Sequence, residues 1–123
     1  MSDKENTLVC QGSGQLIFAC SGAADVGALS DLAARQLTKE GKGRMFCLAG
    51  IGGRVDPILK QTHEAASVLA IDGCSLDCVR KTLEKAGFKA DHFRITDLGF
   101  QKGKTPVHDE HIQKIVNFAS TLL

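Results

Sequence analysis

Ser67-Val68-Leu69-Ala70-Ile71-Asp72-Gly73-Cys74 is the stretch that decides the fold. Val68 to Ile71 is apolar at every position, so both faces of the segment have to be buried, and Asp72-Gly73 stops it with a turn. A strand buried on both faces belongs to a parallel sheet covered by helices, whereas an antiparallel strand with one wet face would alternate. Beyond Gly73, the apolar residues Leu76, Val79, Leu83 and Ala86 recur at helical spacing and Gly87 follows as a stop, giving strand, turn, helix.

The same unit repeats outward. Gln15 to Cys20 and Arg44 to Ala49 read as two more doubly buried strands. His92 to Leu98 reads as a fourth, nearer an edge because Phe93 and Ile95 alternate with Arg94 and Thr96. Val26, Leu29, Ala33 and Leu37 predict a helix closed by Gly41. Asp56-Pro57 predicts a helix start reaching about Ala66, and Ile112, Ile115, Ala119 and Leu122 predict a last helix. Alternating strands and helices joined by right-handed crossovers give an α/β fold: a single three-layer domain with a mostly parallel, doubly wound sheet. Leu8, Val9 and Cys10 are candidates for a short extra N-terminal strand, with Gln11 to Gly14 as its turn, and residues 1–6 read as a disordered tail.

The chain has 123 residues and a formal net charge of +1, which fits one domain and excludes an extended basic field for nucleic acid. Its aromatic content is 5%, all Phe, which leaves few platforms for stacking bases. No apolar run approaches the roughly 20 residues of a membrane span. The opening Met1-Ser2-Asp3-Lys4-Glu5-Asn6 does not resemble a secretory signal, so a cytoplasmic location is expected. Five cysteines in a reducing compartment then point to metal ligation or thiol chemistry before disulfides.

Cys20, Cys47 and Cys74 fall at or just beyond the ends of the three core strands, and Cys78 lies one helical turn after Cys74. Carboxyl ends of parallel strands form the crevice where ligands bind, so the topology would deliver all four sulfurs to one edge. Four converging thiolates suit tetrahedral Zn²⁺, and helix N-termini after Cys20 and Cys74 would offset their negative charge, with Arg54 and Arg80 near in sequence. Scattered core cysteines are the competing reading, since a lone cysteine packs well as a small buried hydrophobe.

Cys20-Ser21-Gly22 with Val26-Gly27, Cys47-Leu48-Ala49, and Ile71-Asp72-Gly73-Cys74 with Cys78 and Lys81 together resemble the DGC family, small proteins named for their Asp-Gly-Cys triplet. The resemblance runs from about Leu16 to Gly87. It implies a zinc ion on Cys20, Cys47, Cys74 and Cys78, leaves Cys10 outside the site, and implies no particular reaction.

Two other chemistries use the same residues. Cys74 next to a helix N-terminus could be an attacking thiolate with Cys78 or Cys20 as its resolving partner. Four thiolates also serve an iron–sulfur cluster. Cys74 to Arg80 satisfies the C-x5-R spacing of cysteine phosphatases, but Asp77 would repel the anion and the loop lacks an internal glycine. Asp72 is expected to accept a backbone N–H at the strand end. Gly50-Ile51-Gly52-Gly53 reads as a mobile loop over the site, and Lys102-Gly103-Lys104 as a turn within reach of an anion. His108 and His111, flanking Asp109 and Glu110, read as a solvated helix start rather than a metal site. His63 and His92 read as isolated surface or boundary residues.

Overall fold

The computed structural model describes residues 14–123. The extra strand and tail expected from the first residues, and Cys10, lie outside the described residues. Four parallel strands make one sheet in the order β2-β1-β3-β4: β1 is Gln15–Ala19, β2 Arg44–Met45, β3 Ser67–Asp72 and β4 Asp91–Arg94. Five α-helices connect or flank them: α1 Asp25–Lys39, α2 Leu48–Gly52, α3 Asp56–Glu64, α4 Cys78–Lys85 and α5 Asp109–Ser120. The α/β architecture and the edge position of β4 are as expected, but β2 is the other edge strand and is not buried on both faces: Arg44 is exposed and Met45 half-buried.

Alternation along the two central strands builds the two cores. Ile17, Ala19, Leu69 and Ile71 pack with Val26, Leu29, Ala33 and Leu37 of α1 and with Ile115, Val116 and Ala119 of α5. Leu16, Phe18, Val68 and Ala70 face the other way, onto Ile51 of α2 and Val79 and Leu83 of α4. Both faces of β1 and β3 are therefore covered, which is why their sequences show no polar alternation.

Three boundaries differ from those read in the sequence. The second strand stops at Met45, although the Phe46 N–H still donates to the Ile17 carbonyl (2.9 Å), and Leu48–Gly52 is helical. The glycines there are not a mobile loop: a Cβ on Gly50 would sit 2.7 Å from Ile58, so glycine lets α2 lie against α3. The fourth strand ends at Arg94, and Ile95–Leu98 form a 3₁₀ turn that buries Ile95 while the chain leaves the sheet. Leu76 is 59% exposed and precedes α4, so it takes no part in the apolar stripe of that helix.

Candidate metal and thiol centre

The sheet order reverses between β1 and β3, which places a crevice at their carboxyl ends. Cys20 follows β1 directly, and its N–H donates to the Ile71 carbonyl at 3.0 Å. Cys74 lies two residues beyond β3, Cys47 immediately precedes α2, and Cys78 is the first residue of α4. All four thiols are free; Cys20 and Cys74 are half-buried, Cys47 and Cys78 exposed.

Sharing an edge is not the same as converging. Cys20 packs toward the α2–α4 layer and Cys74 toward the α1–α5 layer, on opposite sides of the sheet. Among the described residues, two groups of three ligand-type side chains have their ligand atoms within 4.8 Å of one another, Asp72/Asp77/His92 and His108/Glu110/His111; the cysteines form no such group. The donor chemistry suits a thiophilic ion, and holding one requires the sulfurs to draw together.

The helix N-terminus expected behind Cys74 is four residues further on, and it is already filled. Asp72, 1% exposed, accepts the Val79 N–H (2.8 Å) and the Arg80 N–H (3.2 Å) through its two carboxylate oxygens. The strand-end role expected of Asp72 is thus realised as the cap of α4. An incoming anion would find those donors taken. Arg80 pairs with Asp77 (3.0 Å) and Glu84 (3.0 Å), so the C-x5-R reading has neither open amides nor a free arginine. Arg54 is equally occupied, reaching the Ile51 and Lys85 carbonyls.

Asp77 is the residue that sequence reasoning underused. It stands in the left-handed region (φ 57°) just before α4, buried, and Arg94 grips it with two 2.7 Å bonds. His92, expected to be isolated, lies 2.9 Å from Asp72 and 3.4 Å from Asp77. Hydrogen bonds from Arg94, opposed by burial and then reinforced by Arg80, hold the Asp77 carboxyl well below the usual carboxylate range. With three cationic or hydrogen-bonding neighbours already seated, Asp72, Asp77 and His92 form a structural lock and not a vacancy for a metal. Two polar residues at alternate positions of β4, His92 and Arg94, were the sequence signal for it.

Glycine sets the other contacts at this edge. A Cβ on Gly73 would meet the Val26 backbone at 3.0 Å, and one on Gly27 would meet the Gly22 oxygen at 2.6 Å, so both junctions depend on bare backbone. The buried Ser30 hydroxyl lies within hydrogen-bond reach of the Cys20 and Gly27 carbonyls. Across from them, Asp25 accepts the Gly103 (2.8 Å) and Thr105 (2.9 Å) N–H groups, which lower its pKa and tie the 101–105 turn over the edge. That turn brings the Lys102 ammonium 3.5 Å from the Cys74 sulfur. Beside Cys47 a cleft of about 990 Å³ opens between α1 and α2, walled by Ala19, Met45, Phe46 and Leu48 with Arg35 and Lys39 at its rim.

A doubly wound α/β domain carrying free thiols at the carboxyl edge of its sheet is the class that fold and site define. The chain belongs to the DGC domain family, whose model matches residues 16–119. It is also 36% identical over 70 residues to the anaerobic and virulence modulator AnvM of Pseudomonas aeruginosa, a match covering 57% of this chain and 53% of that protein. The chain therefore aligns with about half the length of this relative. No solved structure matches the chain. Among the described residues no helix is long and apolar enough to cross a membrane.

Proposed function

We propose that this protein is a cytoplasmic regulatory module that binds Zn²⁺ through Cys20, Cys47, Cys74 and Cys78. The observation that carries the reading is that all four thiols are free and sit on junctions at one edge of a parallel sheet. Four protein ligands would complete the coordination of the ion, which favours a structural or sensing role over catalysis. The description of AnvM as a modulator agrees with a regulatory output. Metal would add a link between the Cys20 and Cys47 junctions and the Cys74–Cys78 junction, beyond the β1–β3 pairing and the Gly73–Val26 packing.

The test is elemental analysis of anaerobically purified protein with mapping of alkylated cysteines before and after chelation. About one equivalent of zinc, with those four cysteines protected until chelator is added, is expected. A coloured preparation would instead place an iron–sulfur cluster on the same residues. Metal-free protein with all cysteines open would overturn metal binding.

Lys102 beside Cys74 favours a second reading, thiol chemistry with Cys74 as the attacking sulfur and Cys78 or Cys20 resolving it. That reading expects Cys74 in metal-free protein to alkylate faster than Cys10, and Lys102→Met to slow it severalfold. Equal rates at Cys74 and Cys10 would end it.

A further inference from the structure

His108, Glu110 and His111 lie away from the thiols and have no part in the function proposed above. One ligand atom from each lies within 4.8 Å of the others. His108 is the extended residue before α5 (φ −116°, ψ 153°), and Glu110 and His111 are in the first turn of that helix. His111 is oriented from two sides. Its Nδ1 lies 2.7 Å from the Pro106 carbonyl oxygen, and its ring meets Phe100 edge-on at 5.1 Å. A carbonyl oxygen only accepts, so Nδ1 is assigned the proton, and in the neutral ring the lone pair belongs to Nε2. Metal-ligating histidines are held in this way, with the second ring nitrogen donating to a carbonyl or carboxylate.

We propose that His108, Glu110 and His111 form a surface site for a borderline divalent transition cation, Zn²⁺, Ni²⁺ or Cu²⁺, held by two imidazole nitrogens and one carboxylate oxygen. This donor set suits these ions better than Mg²⁺ or Ca²⁺, which prefer oxygen alone. The positive end of α5 opposes a cation, and the carboxylates of Asp109 and Glu110 offset it. Lys114, one turn along the helix, has its ammonium engaged by the Leu98 carbonyl (3.1 Å) and the face of Phe100 (5.1 Å). The two imidazoles stack with centroids 5.3 Å apart and planes 18° apart. Sharing an ion requires one ring to leave the stack, and His108, being exposed, is the one free to turn.

The ¹⁵N-labelled 123-residue protein is titrated with Ni²⁺ at neutral pH, once without added metal and once after one equivalent of Zn²⁺, and paramagnetic broadening is read residue by residue. Broadening centred on residues 107–112 is expected. A double variant, His108→Gln with His111→Gln, weakens the apparent Ni²⁺ affinity about tenfold or more. Glu110→Gln, which leaves both rings in place, weakens it by a smaller factor. Broadening that is absent from residues 107–112 in both titrations, or that is unchanged in the double variant, overturns the site. Because the readout is site-resolved and the titration without added Zn²⁺ carries no competing ion, the result is independent of whether the cysteines hold zinc.

Discussion

The β1–α1 and β3–α4 junctions occupy equivalent places on either side of the crevice and both rest on glycine against backbone, yet the polar groups that hold them differ. At β3–α4 a buried carboxylate fills the helix N-terminus, and a second one is clamped by arginines. At β1–α1 the residue before the helix, Ala24, offers no side-chain cap; the Asp25 carboxylate accepts only the Val26 N–H (2.7 Å) from this helix, the Ser30 hydroxyl reaches the Cys20 carbonyl, and Gly27 packs against the Gly22 backbone. Buried carboxylates dominate around Cys74 and Cys78, while a hydroxyl and close packing dominate around Cys20. The difference predicts that each half can be broken without the other.

Asp72→Ala should have the largest effect. It leaves the buried Val79 amide and the half-buried Arg80 amide without an acceptor and removes the nearer of the two carboxylates beside His92, which together cost about 2–4 kcal/mol. The check is a urea unfolding midpoint at unchanged m-value. Alkylation in the metal-free protein should quicken at Cys78 and leave Cys20 at its original rate. A loss below about 1 kcal/mol would show that the carboxylate is not what holds α4.

Gly27→Ala tests the opposite half with a smaller effect. Alanine favours the helix by up to about 1 kcal/mol, but its Cβ would stand 2.6 Å from the Gly22 oxygen, and overpacking against backbone costs about 1–3 kcal/mol. A net destabilisation of about 1–2 kcal/mol is expected, with Cys20 more reactive and Cys78 unchanged. A stabilised variant would mean that the loop yields freely, and the contrast between the junctions would vanish.

The sheet was legible from the doubly apolar runs at Leu16 and Val68, because burial on both faces leaves no alternative to a parallel interior. Cys20, Cys74 and Cys78 were placed at its edge by the same argument. Cys47 was placed there too, but as part of a strand, because Phe46 to Ala49 is as apolar as β1; the helix begins at Leu48, and the close approach of Gly50 to Ile58 that seats it on α3 is a tertiary fact. The polar lock escaped for a related reason. Asp72, Asp77, His92 and Arg94 span 23 positions of chain, and only the parallel register of β3 with β4 sets Asp72 beside Arg94. Lys102 reaches Cys74 through a turn tied by Asp25, from 77 residues earlier, which no local pattern announces.

Asp77→Asn sharpens the comparison with the smallest effect, read as a function of pH. Asparagine tolerates the left-handed backbone at this position, so the exchange removes charge while nearly preserving shape. The folded carboxyl titrates below its ordinary value of 3.8, so its contribution to stability is present above that value and is lost as pH falls through it toward the folded pKa. Unfolding midpoints of the native protein should therefore fall more steeply below about pH 4 than those of Asp77→Asn, and the two curves should approach each other at the acid end. Near neutrality the difference should be modest and should shrink with added salt, because the Arg80 and Arg94 side chains are 33% and 35% exposed and water screens them. Gly27→Ala should keep the native acid slope, since the exchange removes no carboxylate and leaves Asp25 in place. Parallel curves for Asp77→Asn and the native protein would place the strength of the β3–α4 junction in the Asp72 cap alone.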